Sequence, residues 1–334
     1  MNHRFLSVPT IAIAGLVAAL ATAPLTAQSG GNYKTPRTPW GDPDLQGTYS
    51  NRTITPFERA ADVKGREFFT REEAAALEQR AQQQNGDEGR NKGTRGDVER
   101  AYNDFWWDRG TSVTSLRTSL VIDPPDGRVP PQTQAAKLRA AEEGKRPAYR
   151  GGGAAGGRGT DSWLDRSTFE RCITRGMPGA MSPSAYNNNY RITQSPGYVA
   201  IEIEMLGGTR VIPTDGRKHV STSIRNWMGD SVGRWDGDTL VVDTTNFTDK
   251  VLYRGAAENL HLVERFTRVA PDRIDYRVTI EDPTTFTRPW TLAIPFVVTG
   301  EGIFEYACHE GNYGMEGILS GAREEERAAL KGKR

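Results

Sequence analysis

The chain has 334 residues, and 43 Lys and Arg against 42 Asp and Glu give it a formal net charge of +1 at pH 7. We therefore do not expect a nucleic acid as a partner, because binding to phosphates needs an excess of basic residues. The roughly 300 residues that follow a short leader are enough for one large β domain or two modest domains.

Residues 1–27 have the pattern of a secretory signal peptide. Arg4 precedes the apolar stretch TIAIAGLVAALATA at 10–23, and small residues follow up to Ala27. This stretch is too short to span a bilayer comfortably, and the pattern is typical of export. The sequence thus predicts a soluble periplasmic or secreted protein, residues 28–334, that does not insert into a membrane after cleavage.

The two cysteines of the chain are Cys172 and Cys308. In an oxidising compartment the simpler interpretation is a structural disulfide between them. The alternative is a Cys308 thiol nucleophile beside His309, which is disfavoured because free thiols of exported proteins oxidise readily.

The first half of the chain predicts helical and loop insertions over about 60–175. LQGTYS at 45–50 could form a first strand. Thr70 and Glu73 make a capping box that starts a helix over about 70–84, and a second short helix is predicted around 133–143. A polar loop at 85–100 and a glycine-rich linker at 150–160 separate these elements.

From residue 190 onward the apolar residues recur with a period of two. The segments with this pattern are YRITQS, YVAIEIEM, TRVIP, DTLVVDTTNF, LHLVERFTRV, RIDYRVTI, WTLAIPFVVT and IFEYACH. Turn signals such as Pro196-Gly197, Asp236-Gly237 and Pro271-Asp272 separate them. Short strands with tight turns predict an antiparallel meander, closed into a barrel that removes its exposed edges. We predict a single mainly β domain, barrel-like or lipocalin-like, with a small ligand in its mouth.

The segment YACHEGNYGM at 306–315 concentrates reactive groups at the end of the last predicted strand. His309 is the candidate general acid or base, because imidazole titrates near neutrality, and Glu310 could supply a second acid. The alternative for His309 is a buried, hydrogen-bonded core residue. We expect Asn312 and Tyr313 to orient a ligand beside it.

YVAIEIEM offers a second pair of acids, since Glu202 and Glu204 share one face of a strand. Such carboxylates usually lie on the solvated outside of a sheet. In a barrel with a polar lumen they would instead point at a ligand. A close pair would have one pKa raised, which suits general acid catalysis. Glu202 is therefore a further catalytic candidate.

Several residues are candidates for substrate binding. Tyr186 and Asn188 belong to the PSAYNNNYRI segment, which is either a hydrogen-bonding rim or an elaborate turn. Trp106 could form an aromatic platform or anchor the core. Arg288 shares a strand face with Trp290, so an arginine stacked on an aromatic ring is a further option.

No cofactor is predicted. No two histidines show the compact spacing of metal ligands, and a zinc site would need ligands gathered from distant strands. The expected partner is a small-molecule ligand.

The chain resembles a group of exported bacterial proteins that share several specific motifs across nearly the whole mature length. In this sequence the motifs are PDLQGTY from Pro43, YNNNY from Tyr186, GRWDGDTLVVDTTNF from Gly233, NLHLVERFTR from Asn259, DPTTFTRPWT from Asp282 and YACHEGNYGM from Tyr306. One departure is Tyr49, where the group has tryptophan. The resemblance implies export and a single β-rich unit, and it carries no catalytic residue across.

The leading functional hypothesis is a cofactor-independent lyase or hydrolase. It would act by acid–base chemistry on a small aromatic, terpenoid or sugar-derived substrate, with His309 exchanging the proton. The alternative is a non-catalytic, lipocalin-like binding protein for a hydrophobic or glycan ligand. A structural protein of the cell envelope is a third option, and it predicts a large exposed apolar patch.

Overall fold

The computed structural model describes residues 33–63, 65–84, 108, 110–144 and 159–331. Its strands are β1 (Gly47–Ser50), β2 (Val121–Asp123), β3 (Asn189–Ser195), β4 (Tyr198–Ile203), β5 (Gly208–Pro213), β6 (Asp230–Asp236), β7 (Thr239–Thr245), β8 (His261–Ala270), β9 (Arg273–Glu281) and β10 (Trp290–Val298). Its α-helices are α1 (Arg71–Gln84), α2 (Gln134–Gly144) and α3 (Tyr313–Lys331).

All strands belong to one antiparallel sheet that curls into a nearly closed barrel. The order is β5-β4-β3-β1-β10-β9-β8-β7-β6, and β2 adds to β10. The end strands β5 and β6 meet through side chains: Arg210 Nη2 donates a hydrogen bond to Ser231 Oγ at 3.1 Å. A Cβ atom on Gly233 would lie 2.9 Å from Ile212 Cγ2, so glycine permits this close approach. The predicted barrel-like meander is confirmed.

The predicted turns build the meander. Two-residue turns at Pro196-Gly197, Gly237-Asp238 and Pro271-Asp272 join β3 to β4, β6 to β7 and β8 to β9. Gly197 and Gly237 have φ values of +78° and +59°, which cost glycine little. The N-terminal segment joins the barrel as β1, between β3 and β10.

Side chains fill the centre of the barrel. The rings of Tyr190, Phe266, Tyr276 and Phe296 pack with centroid separations from 4.5 to 6.4 Å. Each of these side chains is buried. The space expected to hold a ligand is therefore occupied by a packed core.

One ion pair lies within this core. Arg210 donates to both oxygens of Glu264, at 3.0 and 2.7 Å, and their side chains are only 4% and 0% exposed. Tyr276 donates its hydroxyl to Glu264 Oε1 at 2.8 Å, and Thr244 donates to Oε2 at 3.4 Å. The network links β5 to β7, β8 and β9 through the barrel interior.

The helices confirm two predictions and add one element. At the start of α1 the backbone N–H of Thr70 donates to Glu73 Oε2 at 2.8 Å, and that of Glu73 donates to Thr70 Oγ1 at 3.2 Å, so the capping box is real. α2 lies where the second helix is predicted. α3 is unpredicted, although Met315, Ile318, Leu319 and Ala322 recur at helical spacing.

The last predicted strand, 303–309, is wrong. Residues 301–307 run as an extended segment that joins no sheet, followed by a turn and α3. We call residues 303–306 the strap. A disulfide joins Cys172 to Cys308, with their Cα atoms 5.7 Å apart, and fixes the chain just after the strap. The structural disulfide is thus confirmed, and the alternative of a free Cys308 thiol is wrong.

Four predictions fall wholly or mostly outside the described residues: the signal peptide at 1–27, the loop at 85–100, the aromatic Trp106 and the glycine-rich linker at 150–160. Within the described parts of the chain, no helix is both long enough and apolar enough to cross a bilayer.

Candidate acid–base groove

The predicted base His309 lies on an exposed turn rather than at an enclosed site. Its Nε2 atom is 3.0 Å from the backbone oxygen of Cys172. A carbonyl only accepts, so Nε2 carries the proton and donates it. This bond fastens the turn beside the disulfide. His309 is hydrogen-bonded, as the structural alternative predicted, but it is exposed rather than buried in the core. Glu310 next to it is exposed as well.

Two predicted ligand-orienting residues shape the start of α3. Asn312 accepts a hydrogen bond from the backbone N–H of Met315 at 3.3 Å and donates to the oxygen of Glu170 at 2.9 Å. An asparagine that bonds to the third residue onward caps a helix. Tyr313 projects into solvent. The structure therefore gives Asn312 a local structural task.

Asn188 is likewise structural. Its Oδ1 accepts from the N–H of Ser184 at 2.7 Å, and its Nδ2 donates to the backbone oxygen of Asp108 at 2.6 Å. The side chain is completely buried. The PSAYNNNYRI segment is thus the elaborate turn that leads into β3, and the hydrogen bonds of Asn188 hold this turn in place.

The predicted pair of Arg288 and Trp290 is separated. Trp290 is buried among Phe57, Tyr253 and Phe286, with ring centroids 5.6 to 6.2 Å away. Arg288 is exposed and donates to Asp123 Oδ1 at 2.9 Å. Trp290 is a core residue, and Arg288 belongs to a surface ion pair.

A groove of about 460 Å³ opens to solvent between the end of β4 and the strap. Its lining includes three carboxyl groups and three apolar or aromatic side chains, namely Glu202, Glu204, Glu305, Leu206, Phe304 and Tyr306. The ring of Tyr186 stacks on that of Tyr306, with centroids 6.4 Å apart and planes 4° from parallel. Of the predicted site residues, Glu202 lines the groove, and Tyr186 adjoins it through its contact with Tyr306.

Glu202 on β4 and Glu204 just after its end lie on the outside of the barrel, since Ile201 and Ile203 are buried in the core. Glu202 stays half-exposed and lies 3.5 Å from Arg191 Nη1. Glu204 is only 3% exposed. Glu202 and Glu204, which the sequence predicts on the same face, thus differ in their exposure to solvent.

The strap is what buries Glu204. Its Oε1 accepts from the backbone N–H of Phe304 at 3.4 Å, and its Oε2 accepts from that of Asn189 at 3.3 Å. Burial raises the pKa of Glu204 above its ordinary value, and the hydrogen bonds from Phe304 and Asn189 only partly oppose this. A carboxyl group that holds its proton to higher pH, beside an open groove, is equipped to donate it.

Sequence reasoning missed a row of five ionisable side chains on the outer face of β6–β9. His219 bonds to Asp230 at 2.7 Å and to Asp243 at 2.9 Å. His261 bonds to the other oxygen of Asp243 at 2.9 Å and to Glu281 at 3.0 Å. Both nitrogens of each ring are occupied, so neither imidazole is free to accept a substrate proton.

This row is best described as a clasp between the loop at 214–229 and the sheet. In the described part of the chain, no group of three or more His, Cys, Asp or Glu side chains is arranged to hold a metal ion. Part of this row could have been predicted from the sequence, because a tight turn at Pro271-Asp272 places His261 directly opposite Glu281. His219 could not be found this way, since it lies in a long loop.

Comparisons with known proteins add little. No protein-family model matches the chain, and no curated protein matches it. Among solved structures, a crystal structure of a mutant of the fluorescent protein UnaG shares 12% identity over 34% of this chain and 72% of its own, with a TM-score of 0.22. That score is too low to support a statement about either fold or function.

Proposed function

We propose that this chain is an exported, cofactor-independent enzyme that performs acid–base chemistry in the groove beside β4. Its reaction is an elimination, hydration or hydrolysis on a small aromatic, terpenoid or sugar-derived substrate. The observation that carries the proposal is Glu204, a buried carboxyl group whose pKa is raised and which lines an open groove.

The proposed roles of Glu204 and Glu202 follow from the different surroundings of the two carboxyl groups. Glu204 holds its proton and donates it to a leaving oxygen or to a double bond, which is the task of a general acid. Glu202, half-exposed and 3.5 Å from Arg191, is the second carboxyl group of the groove, and in this proposal it accepts a proton or activates a water molecule.

Substrate binding falls to the aromatic side of the groove. Tyr306 is held against Tyr186, so its ring is fixed in place as a platform for a ring-shaped substrate. Phe304 provides a second apolar surface beside it. Binding on this wall brings a substrate alongside Glu204.

Export is supported by three independent features. The first 27 residues predict a signal peptide, a disulfide is formed between Cys172 and Cys308, and the motifs resemble those of exported bacterial proteins. Disulfides persist in oxidising compartments. We place the protein in the periplasm or outside the cell.

The same groove could bind a ligand without transforming it, which is the second candidate function. The open, partly apolar lining with an exposed Phe304 favours it. The two functions differ in what Glu204 contributes: a proton to a reaction, or only part of the wall.

The test is a screen by ligand-observed NMR with 4-nitrophenyl glycosides, cinnamic acids and terpene alcohols, followed by turnover assays on whatever binds. We expect Glu204→Gln to bind like the wild type and to lose about 10²-fold or more in kcat. Wild-type activity should fall as the pH rises through the raised pKa of Glu204.

Glu310→Gln is the matched control, because Glu310 is an exposed acid outside the groove and should leave kcat unchanged. Binding with no turnover in the wild type would favour the binding protein. If none of the three classes binds, or if Glu204→Gln turns over at the wild-type rate, the enzyme proposal is rejected.

A further inference from the structure

The groove and its surroundings carry an excess of negative charge. Five carboxyl groups line it or adjoin it, namely Glu202, Glu204, Glu305, Glu301 and Asp108. Two guanidinium groups face them. Arg52 Nη1 lies 2.9 Å from Asp108 and 3.0 Å from Glu301, and Arg191 lies 3.5 Å from Glu202. Even with Glu204 neutral, this set is left with a charge of −2, and such a field attracts cations.

An aromatic surface lies within the same groove. Phe304 is 71% exposed although it sits between the acids Glu204 and Glu305 of the lining. Tyr306 offers a second ring, backed by Tyr186. Aromatic faces attract ammonium groups, and they also bind the apolar part of a ligand.

From this juxtaposition of uncompensated carboxylates and an exposed aromatic ring in one open groove, we infer that the groove selects ligands that carry a protonated amine next to an apolar or aromatic group. Among the described residues neither Glu204 nor Glu305 of the lining has an arginine within ion-pair distance, and Glu305 is the exposed one of the two, so the ammonium group pairs with Glu305. The apolar part then lies on Phe304. The inference deepens the proposed function and rests on it.

Matched small molecules test the inference directly. Phenethylamine, 2-phenylethanol and phenylacetate share a ring and differ in charge, and each is titrated into isotope-labelled protein at low and at high salt. We expect phenethylamine to bind up to about fivefold more tightly than 2-phenylethanol, which corresponds to one solvent-exposed ion pair. Phenylacetate should bind most weakly, and added salt should reduce the preference for the amine.

Two variants locate the effect. Glu305→Gln should remove most of the preference for the amine while leaving the affinity for 2-phenylethanol unchanged, and Phe304→Ala should weaken all three ligands. Glu310→Gln serves again as the control for loss of one exposed acid. Both altered groove residues are exposed, so neither substitution should unfold the protein.

The possible outcomes separate this inference from the function on which it rests. Equal binding of the amine and the alcohol in the groove, or a preference that survives Glu305→Gln, overturns the choice of ligand and leaves the acid–base groove standing. Binding whose shifted resonances lie away from Phe304 and Tyr306, or no binding by any of these molecules or the earlier library, rejects both.

Discussion

Replacing Arg210 by methionine tests whether the ion pair inside the barrel holds its end strands together. Arg210 on β5 and Glu264 on β8 form two hydrogen bonds, and both side chains are buried. Methionine has a similar length and fits the apolar surroundings, so the substitution removes the charge with little change in volume.

The expected cost is about 3–5 kcal/mol of unfolding free energy, because removal of one partner leaves the other charge buried and unpaired. Tyr276 and Thr244 still donate to Glu264, which keeps the cost toward the lower end of that range. The double variant Arg210→Met with Glu264→Leu removes both charges and should recover most of the loss. We therefore expect a coupling energy of roughly 3 kcal/mol between the two sites.

Urea unfolding followed by tryptophan fluorescence measures all of these variants. Arg217→Met is the matched control, because Arg217 pairs with Asp215 on the surface and should cost no more than about 1 kcal/mol. A loss under about 1 kcal/mol for Arg210→Met, or additive losses in the double variant, would refute the reasoning.

Two further predictions concern stability. The disulfide between Cys172 and Cys308 closes a loop of 136 residues, so its reduction should lower the free energy of unfolding by about 5 kcal/mol on loop-entropy grounds. Urea unfolding with and without dithiothreitol measures this, and equal midpoints would contradict it. Burial opposes the charge on His261, but its hydrogen bonds to Asp243 and Glu281 outweigh burial and raise its pKa above 6.5. The stabilisation from the charged ring is therefore complete below pH 6.5 and is lost as the pH rises through the raised value. The melting temperature of the wild type should fall over this range more than that of His261→Gln, and parallel curves would show that the clasp does not titrate as described.

The strands of the barrel could be predicted from sequence where alternation and turn residues agreed. β4 and β9 have apolar or aromatic side chains at every second position, and β3 and β8 follow the same pattern with interruptions such as Gln194 and Glu264. Their turns contain the glycine or proline that a two-residue connection needs. β6 was missed because its sequence, DSVGRWD, is mostly polar. Its Gly233 is explained only by contact with Ile212 on β5, which lies far away in the sequence.

The strand predicted for the alternating segment IFEYACH does not form, for a reason that the sequence does not show. β10, the strand before it, already pairs with β9 along one edge and with β1 and β2 along the other. No edge of β10 is left for another strand, so the chain leaves the sheet and crosses its outer face. Local periodicity cannot report which edges of a sheet are occupied.

The same limit applies to the candidate site. The shared face of Glu202 and Glu204 follows from the period of a strand, but the burial of Glu204 depends on Phe304, 100 residues further along. His309 attracted the prediction because chemistry-bearing residues crowd around it in the sequence. In the fold those residues cap a helix and form a disulfide.

The position of that disulfide makes the groove dependent on its redox surroundings. The strap ends at Tyr306, and the nearest covalent anchor of the whole C-terminal segment is Cys308. In a reduced chain the strap would lose this anchor, and one wall of the groove would be held only by noncovalent contacts such as the hydrogen bond from Phe304 to Glu204. Under the proposed function, reduction of this one bond should therefore lower activity as well as stability.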